Sequence, residues 1–314
     1  MFSIGIPAFK GKFLKECITS VLSQTYTNFE LIIVDDCSPD PIADIVNQFS
    51  DTRIRYYRNE KNIGAFNVID NWNKCLELAT GDFFVLLGDD DKLESNYLNV
   101  FSELILTYPD LDVFHCRSII INEQSLPVRL TPINPNFEDV YDYVLGCLTG
   151  KREQFISDFI YRVAPLREKS GFFKLPLAWT SDYLSSFVAC GSKGIAHTNE
   201  PIFNYRVNDG SITSTGNFVV KWDAAILYYK WIKELFERKG DDVLIEIKKN
   251  GIRTAYDRAI RIERISFIRQ IIGNKGILNG VVFIFKVRKK YGLTFTDFIG
   301  SLTTSITDKI LKLN

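Results

Sequence analysis

The stretch Phe83-Phe84-Val85-Leu86-Leu87-Gly88-Asp89-Asp90-Asp91-Lys92 decides the fold class, because an unbroken apolar run passes directly into three consecutive carboxylates. Five large apolar side chains in a row read as a central strand buried on both faces, so the acids fall where the chain leaves the sheet. Adjacent acids repel one another and are tolerated when solvated or neutralised by a cation. For an isolated triplet the plain reading is a solvated acidic turn. The mouth of a parallel sheet, however, is where open α/β folds hold ligands, and a divalent ion there would in turn hold a phosphorylated substrate.

The triplet is not isolated. Ser3 to Pro7 reads as a strand, Phe13 to Gln24 has helical spacing through Leu14, Cys17, Ile18, Val21 and Leu22, and Leu31 to Val34 is a strand running into Asp35-Asp36. A helix over Pro41 to Phe49, a strand over Arg53 to Tyr57 and a helix from Gly64 to Ala79 follow. That order predicts an α/β fold with a doubly wound, mostly parallel sheet, two of whose strands end in acid clusters on one rim. No GxGxxG follows the first strand and no GxxxxGK[ST] occurs, so phosphate must be held by other means. Asp36, followed by the turn-forming Cys37-Ser38-Pro39-Asp40, is placed to accept hydrogen bonds from a base or ribose, or to serve the turn itself.

A chain of 314 residues with 46% hydrophobic and 24% charged residues has the composition of a globular protein. Its net charge of zero gives no reason to expect a nucleic-acid partner. The charge is uneven, however. From Thr215 onward there are 19 Lys plus Arg against 10 Asp plus Glu, so that part carries +9 and residues 1–214 carry −9. We therefore expect a catalytic domain over 1–214 and a helical region over 215–314 serving packing, dimerisation or contact with an anionic membrane surface. The segment Val281 to Leu293, with Lys286, Arg288, Lys289 and Lys290 beside Phe283, Phe285 and Tyr291, suits either helix packing or a membrane surface. Six scattered cysteines without a CxxC pair, a start lacking signal-peptide character and no run of ~18 apolar residues point to a cytoplasmic protein.

Several separately spaced segments carry a family resemblance. Ser3-Ile4-Gly5-Ile6-Pro7-Ala8-Phe9, the run from Ser20 to Ser38, Asn62-Ile63-Gly64, Ala79-Thr80-Gly81-Asp82 and Gly88 to Asp91 together resemble the inverting family 2 glycosyltransferases of the GT-A fold, over about residues 1–213. The resemblance implies a donor site in which Pro7, Ala8 and Phe9 lie against a nucleotide base bonded to Asp36. It makes Asp89 the ribose-facing acid, Asp90 the ligand of a Mg²⁺ or Mn²⁺ ion, and Asp91 an acid that reaches the ion through water or positions the loop. Gly88 departs from the common Asp-x-Asp spelling and loosens the register of the three acids. The donor implied is a nucleoside-diphosphate sugar, with a UDP-sugar favoured. The acceptor implied is a saccharide or lipid-linked saccharide of a bacterial surface polysaccharide.

The chemistry then needs one base. A metal stabilises the departing diphosphate, so no protonated acid is required on that side, unlike glycoside hydrolysis with its poor leaving group. Trp179-Thr180-Ser181-Asp182-Tyr183-Leu184 resembles the family's acceptor region and puts Asp182 at the base position, with Ser181 where Glu is frequent. Asp182 also suits a plain helix-start acid favouring the dipole, and the two roles are compatible. Gly194 to His197 and Pro201 to Arg206 read as short strands leading into Val207 to Thr213, where the family often carries His and this chain has Asn208 and Asp209. Arg206 suits either a phosphate or an acid partner. His197, within an apolar strand, is expected to be packed and hydrogen-bonded. Two other classes share parts of the pattern. A non-catalytic sugar-nucleotide binder would not need intact Asp36, Asp90 and Asp182, and a nucleotidyltransferase would show a GxGxRxxP-like loop after the first strand, which Pro7-Ala8-Phe9-Lys10-Gly11 does not supply.

Overall fold

The computed structural model describes residues 1–208, 217–239 and 242–302. The chain divides into two compact units, Met1–Gly216 and Asn217–Asn314.

In the first unit β1 (Phe2–Ala8), β2 (Phe29–Asp35), β3 (Ile54–Arg58) and β4 (Phe83–Leu86) are parallel and run in the order β3-β2-β1-β4. The sheet then continues through β9 (Phe159–Arg162), β6 (Val113–Ile121), β10 (Ile195–Arg206) and β5 (Lys92–Leu93), with β9 and β5 antiparallel to their neighbours. Two further short strands, β7 (Pro127–Leu130) and β8 (Phe137–Glu138), pair antiparallel with β6 and β10. The predicted α/β fold with its mostly parallel sheet is therefore observed. The segment read as two strands is one strand, β10, that absorbs Glu200-Pro201 through register shifts between Thr198 and Phe203. A proline without an amide proton is accommodated by such an irregularity.

Helices α1 (Leu14–Leu22), α2 (Ile42–Val46) and α4 (Tyr97–Thr107) cover one face of the sheet, where Leu14, Ile18, Val46 and Phe101 join Ile4, Ile6, Leu31, Ile33 and Val85 in one buried core. On the other face α3 (Val68–Leu78) lies so close that a Cβ on Gly5 would sit 2.7 Å from the Cβ of Cys75. Glycine there lets the helix approach the sheet at backbone distance. Further elements are α5 (Val140–Leu148), α6 (Val163–Glu168) and α7 (Ser181–Cys190). Asp139 caps α5 by accepting from the amides of Tyr141 and Asp142.

The second unit contains α8 (Phe218–Glu237), α9 (Val243–Lys275) and α10 (Ile277–Tyr291). Asn217 caps α8 and Asp242 caps α9. Trp222, Ala225, Tyr229 and Ile232 of α8 are buried, and Trp222 stacks on Phe267 with ring centroids 4.9 Å apart. Gly276, with φ 74°, ends α9 and starts α10. No helix among the described residues is long and apolar enough to cross a membrane.

Candidate active site

Parallel pairing brings the carboxyl-terminal ends of β1, β2 and β4 to one rim. Ala8 is registered with Asp35, the amide of Asp36 donates to the carbonyl of Ala8 (2.9 Å), and Leu87 donates to Gly5 (2.9 Å). The chain beyond β4 turns sharply, with the amide of Asp91 returning to the carbonyl of Gly88 (3.2 Å). A Cβ at Gly88 would lie 2.7 Å from Oδ2 of Asp91, so any side chain there would force the Asp91 carboxylate to shift.

The three acids of this turn point to three different partners. Oδ2 of Asp89 accepts from the amides of Phe9 and Lys10, both at 2.7 Å, and so pins the loop that follows β1. Oδ2 of Asp90 accepts from the side-chain amide of Asn208 (2.7 Å). Asp91 is buried, with Oδ1 accepting from the backbone of Arg206 (2.9 Å) and Oδ2 at 3.5 Å from the Ser157 hydroxyl. Burial and the charge of Asp90 push Asp89 up to about 6, against the pull of its two amide bonds. Burial and the same charge raise Asp91 as well. The folded turn thus binds these protons more tightly than the unfolded chain does. Its contribution to stability is full at low pH and falls as pH rises through about 6.

The loops after β1 and β2 are bonded as closely. Phe9 is clamped at its amide by Asp89 and at its carbonyl by the Ser38 hydroxyl (2.5 Å), leaving the ring 39% exposed beside buried Ala8 and partly buried Pro7. Asp35 is fully buried and structural, accepting from Ser38, Tyr56 and Arg58. Asp36 is held differently. Its Oδ1 accepts from the Asn59 side chain (2.8 Å) and the Ile63 amide (3.1 Å), which fixes the plane of the carboxylate.

Arg206 lies at the end of β10 and is 1% exposed. Its Nε donates to the carbonyl of Asp90 (2.6 Å), Nη1 to the Asn122 carbonyl (3.2 Å) and Ser125 hydroxyl (2.9 Å), and Nη2 to Glu16 (2.9 Å). The guanidinium also covers the ring of Phe13 at 4.1 Å. All three of its nitrogens are engaged by the protein, so it sets the shape of the acid turn. Of the following loop, Val207 and Asn208 are described, while Asp209 to Thr213 lie outside the described residues.

Asp182 sits in the first turn of α7 and is half-buried. The approach to that helix holds three non-glycine residues in the left-handed region, Leu177 (φ 58°), Ala178 (φ 52°) and Thr180 (φ 61°). Such conformations cost energy and persist where surrounding structure imposes them, often at functional sites. Burial pushes the Asp182 carboxyl up to about 7, with a further push from the charge of Asp158 and a counter-pull from backbone amides. Sequence reasoning missed Ser157 and Asp158. Ser157 accepts from the Gly88 amide (3.1 Å) and lies 3.5 Å from Oδ2 of Asp91, so it braces the acid turn, while the charge of its neighbour Asp158 adds to the raised proton affinity of Asp182. No signal in the local sequence marks them.

TarS of S. aureus, solved with residues 1–349 bound to UDP-GlcNAc, superposes with a TM-score of 0.64 at 16% identity, covering 85% of this chain and 80% of that one. The profile of glycosyl transferase family 2 matches residues 3–159. Glycosyltransferase GlyG of Streptococcus pneumoniae is 31% identical over 256 residues, or 78% of this chain and 81% of the relative. The teichuronic acid biosynthesis glycosyltransferase TuaG of Bacillus subtilis is 27% identical over 264 residues, 81% of this chain and 96% of the relative. The chain belongs to glycosyl transferase family 2 and is a glycosyltransferase.

Because Arg206 donates from a buried position to the carbonyls of Asp90 and Asn122, Arg206→Met is expected to lower the unfolding free energy by about 1–3 kcal/mol, measured by urea denaturation.

Proposed function

We propose that this glycosyltransferase is inverting and metal-dependent, and moves a sugar from a UDP-sugar to a hydroxyl of a saccharide or lipid-linked saccharide in bacterial surface polysaccharide synthesis. The observation that carries this reading is a helix-start carboxyl, Asp182, that burial pushes up to about 7, in the same compact unit as the acid turn at the end of β4. A general base works best with a pKa near the operating pH. The nucleotide and polymer classes are supported by TarS, solved with UDP-GlcNAc, and by TuaG, named for teichuronic acid biosynthesis.

In this reading Pro7, Ala8 and the exposed ring of Phe9 form the surface for the base, with the fixed carboxylate of Asp36 as its hydrogen-bond acceptor. Asp89 holds the Phe9-Lys10 backbone and faces the ribose beside it. Among the described residues no three acidic, histidine or cysteine side chains are gathered into a preformed metal site. The chain still fits Mg²⁺ or Mn²⁺, since the turn concentrates carboxylates whose mutual charge raises Asp89 and Asp91, and a cation would relieve that repulsion. Mg²⁺ sites need only one or two carboxylates when substrate phosphates complete the shell, and Mn²⁺ shares the preference for oxygen ligands. Asp90 would hold the ion, with Asp91 and Arg206 shaping the turn behind it. When bound, the ion offsets charge that develops on the departing diphosphate.

Asp182 takes the proton of the acceptor hydroxyl, whose oxygen attacks the anomeric carbon from the face opposite the nucleoside diphosphate. One displacement inverts that centre. Asp182→Asn is expected to lower the transfer rate by about 10²- to 10⁴-fold while leaving UDP binding intact, as read in a radiolabelled transfer assay and by calorimetry. In the parent, kcat/KM should climb with pH through about 7 and level off above it, because only the ionised carboxylate accepts a proton. Asp90→Ala is expected to abolish the Mn²⁺-dependent part of the thermal shift given by UDP while keeping the metal-independent part.

The second unit adds a membrane contact to this reading. Residues 264–296 contain seven Lys or Arg and no Asp or Glu. Within that segment α10 exposes Ile277, Leu278 (83%), Val282 and Phe285 (62%) beside Lys286, Arg288 and Lys289. Apolar side chains ringed by cations suit the surface of an anionic bilayer. The protein is expected to sediment with phosphatidylglycerol vesicles at low salt and not with phosphatidylcholine vesicles, and Leu278→Glu with Phe285→Glu should abolish the binding.

A further inference from the structure

The second unit holds a polar cavity that sugar transfer leaves unused. Its volume is about 270 Å³, and it is lined by Asp257, Arg261 and Arg264 of α9 and by Thr294, Thr296 and Asp297, which follow α10. Arg261 and Arg264 stand three positions apart on one helix, so their side chains share a face. Arg264 is half-buried, and its Nε is sealed from solvent and bonded to no described residue. Gly292, in the left-handed conformation that ends α10 (φ 60°), leaves room for it, since a Cβ there would lie 3.0 Å from Nη2 of Arg264.

A guanidinium drawn partly out of water loses hydration that an anion would replace. Among the described residues neither arginine forms an ion pair, although two carboxylates line the same cavity. Asp297 is committed elsewhere: it is buried, accepts from the Thr294 amide (2.8 Å) and receives the Thr294 hydroxyl at its own amide (3.2 Å). Asp257 is exposed, where water weakens its charge. The hydroxyls of Thr294 and Thr296 lie 2.8 Å apart and add donors to the same wall. Two guanidinium forks with neighbouring hydroxyls offer more parallel N–H and O–H bonds than a carboxylate or a chloride ion accepts, and they suit the several oxygens of a phosphate group.

We propose that this cavity is a phosphate-binding site in which Arg264, seated against Gly292, and Arg261 grip the anion together. Free phosphate and the phosphate of a lipid headgroup share this chemistry. The site uses neither the acid turn nor Asp182, so it stands apart from sugar transfer. It is also independent of the apolar face of α10, and the membrane reading of that face can fail without it.

Nitrogen-15 NMR of the full chain labelled at arginine reads the Nε–H of Arg264, assigned by its loss in Arg264→Lys. Sodium phosphate is expected to shift that signal saturably, and sodium chloride at equal ionic strength is not. A parallel titration with dihexanoyl phosphatidic acid, a soluble short-chain lipid, separates the two sources. Saturation by inorganic phosphate supports a site for the free anion, and saturation by the lipid alone supports a headgroup site. No saturable shift with either, or an equal shift with chloride, overturns the proposal. Arg264→Lys keeps the charge and loses the fork, and Arg261→Gln removes the second grip. Each is expected to weaken binding roughly tenfold or more by calorimetry, and unchanged affinity in Arg261→Gln would refute the shared grip. Arg261 is exposed, so that variant still reads the site should Arg264→Lys not fold. Phosphate binding is expected to persist in Leu278→Glu with Phe285→Glu, and its loss there would move the anion from the cavity to the face of α10.

Discussion

Three carboxylates on consecutive residues can share one turn only if each is given a different partner. In this chain Asp89 is taken by the backbone after β1, Asp90 by Asn208 and Asp91 by the backbone of Arg206, so the turn is a junction of β1, β4 and β10. Parallel pairing supplies the rim, and the missing side chain of Gly88 supplies the room. Burial, with the charge of Asp90 added, raises the proton affinity of Asp89 and Asp91.

Much of this was legible from the chain itself. The strands β1, β2 and β4 are near-continuous apolar runs, as two-sided burial requires, and the acids follow directly from their ends. The helix start that carries Asp182 was recognisable because a helix start and its flanking residues are local features. His197 was expected to be packed and hydrogen-bonded, and it is buried against His115 and Glu138. What escaped depends on distant pairing. In sequence Arg206 suits either a phosphate or an acid, and the acid it meets, Glu16, lies 190 positions away. Ser157 and Asp158 carry no motif, and their meaning comes from the antiparallel insertion of β9 between β4 and β6.

The two sides of the site are built on different physical terms. The loops after β1 and β2 are polar and closely bonded, with backbone amides and carboxylates holding each other in place around Phe9 and Asp36. At the start of α7 burial governs instead, and it pushes the Asp182 carboxyl up to about 7.

Leu177, Ala178 and Thr180 ahead of α7, like Cys37 after Asp36, hold side chains in the left-handed region. Each such residue stores about 1–3 kcal/mol that a glycine would release. Glycine at 177, 178 or 180 would therefore relax the segment that sets where Asp182 leaves the backbone, exchanging a fixed aim for a sturdier scaffold.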